Sequence, residues 1–158
     1  MKIAHCTRFS VLALFLLALT WMLMIPSSAA AGRIAAGFAL GEITGLSIKY
    51  WQDNERAFDF AAGWSDTETK VKLDYLFHEH GVIQVKEGRV FVYYGLGLYG
   101  HSDDDEPDDV FGIRVPFGIE YFIPNMPLSI YGDIAPAMDL NPETDFSGQV
   151  MLGARFIF

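Results

Sequence analysis

The sequence predicts an all-β protein: an eight-stranded antiparallel up-and-down β-barrel preceded by a cleavable signal peptide. Three observations lead to this prediction. The first thirty or so residues have the layout of an export signal, apolar side chains then recur at every second position, and short stretches of turn-forming residues separate the alternating segments. No segment after residue 31 has a helical apolar period, and no linker divides the chain.

Composition excludes several classes of protein. The 158 residues suit a single domain, and 11 Lys and Arg against 20 Asp and Glu leave a net charge of −9. This balance argues against a basic surface for nucleic acid, so no nucleic-acid partner is expected. With 51% hydrophobic residues the chain is not disordered, and one cysteine cannot form an internal disulfide.

The signal peptide is predicted over residues 1–31. Lys2 and Arg8 precede an apolar run at 11–25, and the small residues that follow end at Ala31, where cleavage is expected. The run has 15 residues, whereas a membrane-spanning helix needs about 20. Removal of two of the 11 basic residues leaves nine against 20 acidic ones, a net charge of −11 for residues 32–158, the predicted barrel domain.

Eight segments alternate with a period of two and are bounded by turn residues. In chain order they are 33–40, 45–50, 56–64, 69–77, 89–100, 110–123, 128–138 and 146–158. The first and seventh segments alternate least clearly, and 110–123 and 146–158 alternate most clearly. Pro116 and Pro136 fall inside strands, so a bulge or a local slip is expected at each.

The two faces of these strands differ in side-chain volume. One face is bulky and apolar, as in Phe111, Ile113, Phe117 and Ile119, and the other holds Gly, Ala and Ser with isolated charges. Because eight strands enclose a lumen only just wide enough for side chains, the small and charged face is expected inside. The bulky face then looks outward into lipid, which makes the barrel transmembrane.

The ends of the bulky face carry aromatic residues. They match the girdles expected at the two membrane interfaces. The residues are Tyr50, Trp51, Trp64, Phe77, Tyr121 and Phe158.

Eight charged residues lie on the predicted inner face, four of each sign, so they can neutralise one another inside the barrel. They are Lys49, Asp59, Lys72, Asp74, Arg114, Glu120, Asp133 and Arg155. We assign them a structural role in closing the lumen. The sequence suggests no catalytic, cofactor-binding or metal-binding residue, and no cofactor.

The ending 150–158 resembles the C-terminal signal of bacterial outer-membrane barrels, a terminal Phe preceded by apolar residues at every second position. The chain resembles the small eight-stranded class that includes the OmpA membrane domain and OmpX. Segments 37–42 and 45–51 are similar to a family of short, uncharacterised outer-membrane proteins. The resemblance implies a Gram-negative outer membrane, contact with its lipid and lipopolysaccharide, and recognition of Phe156 and Phe158 by the barrel-assembly machinery.

An even number of strands places both termini on the periplasmic side. The loops after the first, third, fifth and seventh strands then face outward. They are 41–42, 66–67, 101–109 and 141–145.

Three segments could carry chemistry. The acidic run 103–109 could hold Ca²⁺ or Mg²⁺, but it lacks the spacing and turn glycine of a calcium loop and reads better as a solvated tip. His78 and His80 could share one side of a strand, with no third zinc ligand nearby. His101 and Ser102 are adjacent, so a strand turns them to opposite faces, although Glu106 could orient His101.

The leading hypothesis is therefore a non-enzymatic outer-membrane barrel whose lumen is closed by charged side chains. Its role would be in envelope structure or surface contact. Three alternatives stay open: an enzyme that modifies lipid A or phospholipid, a narrow pore, and a soluble lipocalin-like barrel that binds a ligand. The last of these requires the bulky face inside.

Overall fold

The computed structural model describes residues 33–103 and 109–158; the predicted signal peptide, 1–31, lies outside the described residues. Nine strands occur in the described residues. They are β1 (Ile34–Gly41), β2 (Gly45–Trp51), β3 (Arg56–Trp64), β4 (Glu68–His80), β5 (Arg89–Asp103), β6 (Val110–Arg114), β7 (Phe117–Phe122), β8 (Leu128–Asn141) and β9 (Phe146–Ile157).

In this part of the chain, no helix reaches the length and hydropathy needed to cross a membrane.

The strands form a closed ring in which sequential neighbours pair antiparallel. β1 pairs with β2 on one side and with β9 on the other, and β6 and β7 together occupy one position between β5 and β8. The ring therefore has eight positions and no unpaired edge, which confirms the predicted all-β antiparallel arrangement.

The segment predicted as one strand over 110–123 is divided at Val115-Pro116, but no bulge or slip occurs there. Arg114 pairs with Ala137 and Phe117 with Ile134, so the register to β8 is the same on both sides of the break. Pro116 has no N–H to donate, yet its carbonyl still accepts from Gly95 N–H at 3.0 Å. The proline removes one ladder bond and leaves the register intact.

The prediction of a bulge or slip at Pro136 is also wrong. Pro136 pairs with Gly148 in an unbroken register, and its carbonyl accepts from Val115 N–H at 3.0 Å. The irregularity lies instead between Phe111 and Gly112, which pair with Asn141 and Asp139, so that Leu140 is skipped.

Side chains divide between the two faces as the alternation predicts. Phe38 and Leu152 are 68% and 61% exposed on the outside, whereas Lys49 and Arg114 are fully buried inside. The exposed apolar set on the barrel wall includes Leu40, Leu46, Ile48, Leu96, Leu98, Phe117, Ile119, Ile130, Ile134 and Val150. The bulky face therefore looks outward.

The interior also holds large rings. Trp51, predicted in an interfacial girdle, is 5% exposed and points into the barrel. Three tyrosines lie inside, each directly opposite a glycine of the neighbouring strand, in the pairs Tyr93–Gly118, Tyr99–Gly112 and Tyr131–Gly153. A Cβ built on any of these glycines would collide with the facing tyrosine ring, so the missing side chain makes room for the ring.

We expect Gly153→Ala to destabilise the barrel by about 1–3 kcal/mol, because the added methyl would overlap the Tyr131 ring. Gly148→Ala is the matched control in β9, since a Cβ there meets nothing within 4 Å, and its effect should stay within about 0.5 kcal/mol. Urea unfolding of the detergent-refolded protein measures both, and equal effects would contradict the packing described here.

Candidate functional site

Eight buried charged side chains fill the middle of the barrel. Each of the eight predicted inner charges is at most 5% exposed. They come from β2 (Lys49), β3 (Asp59), β4 (Lys72 and Asp74), β6 (Arg114), β7 (Glu120), β8 (Asp133) and β9 (Arg155). Six of the eight ring positions thus contribute a charge, and β1 and β5 contribute none.

The first four charged residues connect β2 to β3 by way of β7 and β9. Lys49 Nζ contacts Glu120, whose Oε1 lies 3.8 Å from Arg155 Nη1. Arg155 Nη2 then donates to both carboxylate oxygens of Asp59, at 2.8 and 2.7 Å.

The second half continues from Asp59 through β4. Lys72 Nζ lies 3.9 Å from Asp59 Oδ1 and 2.6 Å from Asp74 Oδ2. Asp74 Oδ1 lies 3.3 Å from Arg114 Nε, and Arg114 Nη2 lies 2.7 Å from Asp133 Oδ1. The eight residues form one unbranched ion-pair chain in which every neighbour has the opposite sign, so the chain has no net charge.

Neutral side chains hold the ion-pair chain in place. Ser47 Oγ accepts from Arg155 Nε at 2.9 Å, and Ser129 donates to Glu120 Oε1 at 2.7 Å. Gln149 Oε1 accepts from Arg114 Nη1 at 2.7 Å, and Tyr93 from β5 donates to Asp133 Oδ2 at 3.1 Å. All these groups lie on the inner face; the sequence analysis did not assign them a role, although their strand parity placed them there.

Aromatic rings shield two of the cations. The Arg155 guanidinium lies 3.6 Å from the centroid of the Tyr131 ring, and Lys49 Nζ lies 4.4 Å from that of Trp51. Cations over aromatic faces gain further stabilisation when water is excluded. The ion-pair chain and these two aromatic rings occupy the lumen between the two ends of the barrel.

The surplus negative charge lies at one end of the barrel. We call this the loop end: it holds the β1–β2, β3–β4, β5–β6 and β8–β9 connections. Its described charges are eight carboxylates against Lys70: Glu42, Asp66, Glu68, Asp103, Asp109, Asp139, Glu143 and Asp145. The opposite, terminal end carries four of each sign: Arg33, Arg56, Lys86 and Arg89 with Asp53, Glu55, Glu79 and Glu87.

The loop end is closed by side chains from the β1–β2 turn. Ile43 is 3% exposed and packs in a buried cluster with Ala39, Ala61 and Met151. Beside it Lys70 is half-buried and pairs with Glu42 at 3.0 Å. The interior is therefore covered at this end.

The structure places His101 and Ser102 on successive positions of β5, opposite Lys70 and Thr69. His101 lines a shallow hollow with Glu42, Lys70 and Tyr99, whereas Ser102 is not part of it. A nucleophile and its base need hydrogen-bond reach, and successive strand positions point to opposite faces. The candidate orienting acid, Glu106, lies outside the described residues.

His78 and His80 share the inner side of β4, as the sequence suggests, and both engage backbone carbonyls. His78 Nδ1 lies 3.3 Å from the Glu55 carbonyl, and His80 Nε2 lies 2.9 Å from the Asn54 carbonyl. In residues 33–103 and 109–158 no cluster of three or more His, Cys, Asp or Glu has the arrangement of a metal site. Residues 104–108 of the acidic run lie outside the described residues.

Phe156 and Phe158 end the chain on the outer face. They are 44% and 75% exposed, and their ring centroids are 5.1 Å apart. Phe158 N–H donates to the Ile34 carbonyl at 2.8 Å, so the last residue is tied to the first strand at the closure of the ring.

Comparison with known proteins yields a likeness of fold. No family model and no curated protein matches the sequence. Among solved structures, the N-terminal β-barrel domain of Pseudomonas aeruginosa OprF superposes with a TM-score of 0.52 at 17% identity, over 80% of this chain and 96% of that domain. The chain therefore shares the β-barrel fold of that domain.

Asp59 lies between two cations in the ion-pair chain, whereas Asp133 ends the chain next to one. We expect Asp59→Asn to cost about 3–5 kcal/mol of unfolding free energy, because Arg155 and Lys72 both lose their shared buried anion. Asp133→Asn should cost less. Urea unfolding followed by tryptophan fluorescence compares the two, and a smaller loss for Asp59→Asn would contradict the order of the chain.

Proposed function

We propose that this protein is a non-enzymatic integral barrel of a Gram-negative outer membrane, with its lumen closed by the ion-pair chain. Its role would lie in envelope structure or surface contact. The observation that carries the proposal is the inverted distribution of side chains: charges are buried in the centre and large apolar groups cover the wall.

The barrel wall supports a membrane environment. A soluble protein rarely exposes contiguous apolar patches of more than a few hundred Å², because such surface drives association. Here exposed Phe, Leu, Ile and Val side chains lie on most strands around the ring. A closed ring also satisfies the backbone groups of every strand, as hydrocarbon requires.

This arrangement disfavours the lipocalin-like alternative. A soluble ligand-binding barrel keeps its bulky apolar face around a central cavity. In this chain Phe117 and Ile119, from one of the two segments with the clearest alternation, are 50% and 52% exposed. The interior instead holds paired charges and tyrosines.

The ion-pair chain argues against a pore as well. Its contacts connect side chains from six of the eight ring positions, and Ile43 covers the interior at the loop end. Hydrated ions would have to displace pairs that are expensive to break. We therefore propose a structural lumen that does not conduct.

The likeness to the OprF barrel domain supports the class of protein, and we propose the outer membrane as its location. We further propose that the chain is related to the family of short outer-membrane proteins that it resembles. Residues 1–31 would be its signal peptide, and residues 32–158 its barrel domain. In this orientation the terminal end faces the periplasm. The acidic loop end faces outward, towards lipopolysaccharide.

The proposal is tested by fractionating cells that produce the protein. We expect it in the outer-membrane fraction, extractable with detergent, and we expect unboiled protein to migrate differently from boiled protein on a gel, because a closed barrel resists detergent. Recovery in the soluble periplasmic fraction without detergent would contradict the proposal.

The C-terminal residue offers a test of assembly. We expect Phe158→Ser to lower the amount of folded protein in the outer membrane several-fold while leaving refolding of purified protein in detergent unchanged, since the side chain is 75% exposed on the wall. Phe146→Ser, at the other end of β9 and 76% exposed on the same face, is the control and should assemble normally. Equal loss for both variants would contradict recognition of the C-terminal signal.

A further inference from the structure

The terminal end of the barrel contains an open hollow of about 350 Å³. Its walls include three aromatic side chains, Trp51, Phe91 and Phe122, which point inward from β2, β5 and β7. Their ring centroids are 5.0 to 6.4 Å apart. We call this hollow the terminal cup. Its volume lies in the range of small-molecule sites.

Two arginines stand at the rim of the cup. Arg33 and Arg89 line it, and both also line an adjoining hollow of about 540 Å³. The Arg89 guanidinium lies 5.8 Å from the centroid of the Phe122 ring, and Arg33 Nη2 donates to Asn54 Oδ1 at 3.4 Å. Both cations thus have neutral groups as neighbours.

These two arginines differ from the other guanidiniums of the described residues. Arg56, Arg114 and Arg155 each lie within 3.3 Å of a carboxylate oxygen. Within residues 33–103 and 109–158, neither Arg33 nor Arg89 has a carboxylate partner in an ion pair. Two guanidiniums that have no ion-pair partner among the described residues therefore flank a cup that three aromatic rings help to line.

One carboxylate, Glu55, and one imidazole, His80, also line the cup. With His80 counted as neutral, two arginines and one glutamate sum to a single positive charge. This balance favours a ligand with one negative charge over a dianion. Below the rings, Lys49 is already paired with Glu120, so the charge available to a ligand is at the rim.

We propose that the terminal cup binds a small aromatic monoanion, with its ring against Trp51, Phe91 and Phe122 and its acid group on Arg33 and Arg89. Guanidinium binds carboxylate through strong, directional hydrogen bonds, and stacked rings supply apolar contact. The ion-pair chain begins at Lys49 on the far side of the Trp51 ring, so a ligand would enter and leave at the terminal end. In the proposed membrane orientation this end opens to the periplasm.

The test is equilibrium dialysis of 2-naphthoate against the protein purified in detergent from the cells that make it, with ligand-free micelles in the reference chamber. 2-Naphthamide, which has the same rings and no charge, is the companion ligand. We expect the naphthoate Kd of the doubly substituted variant Arg33→Gln, Arg89→Gln to be about tenfold higher than that of the unchanged protein. The naphthamide Kd should not change.

Arg56→Gln is the matched control. Arg56 begins β3 at the same end, but its side chain is paired with Asp53 at 2.6 Å outside the cup, so naphthoate binding should change less than about twofold. Equal weakening by Arg56→Gln, unchanged naphthoate binding in the double variant, naphthamide binding as tight as naphthoate, or no binding at all would each overturn the proposal. The shift of unboiled protein on a gel reports separately whether each variant is a folded barrel, and fractionation reports its membrane location.

Discussion

The narrow cross-section of an eight-stranded ring governs the interior of this protein. So small a lumen has no room for a conventional apolar core with large side chains from every strand. The chain meets this constraint by placing small inward residues, such as Ala35 and Ala39 of β1, beside large ones. Tyrosine rings pack against glycines of the neighbouring strands, and oppositely charged side chains form a continuous series of ion pairs.

The same constraint makes electrostatic balance necessary. A buried charge without a partner costs several kcal/mol, so charges within the lumen must occur as a neutral set. The ion-pair chain, which begins at Lys49 and ends at Asp133, meets this condition because its charges alternate strictly in sign. The surplus negative charge lies at the loop end. The neutral ion-pair chain, the acidic loop end and the proposed binding cup therefore occupy separate parts of one small molecule.

The sequence was sufficient for the features that depend on strand parity. Lys49, Asp59 and Arg155 were predicted to face inward because each alternates with bulky neighbours, and they are buried. Trp51 was misassigned because its position at a strand end suggested an interface, whereas its parity matches that of Lys49. Pro116 and Pro136 were expected to disturb the register, but each keeps a carbonyl that accepts a ladder bond, and the adjoining pairs hold the strands in place.

Alternation of side chains is a local property of an extended backbone, so the sequence by itself determined the strands, their inner and outer faces and the equal numbers of inner charges. The partners of those charges depend on how far each strand is staggered when β1 meets β9. That stagger brings Arg155 to Asp59 across 96 residues of sequence and Lys49 to Glu120 across 71. Only the closed ring decided the order of the ion-pair chain, the seating of tyrosines on glycines and the meeting of Arg33 with Arg89 at the cup, because each joins residues that are distant along the chain.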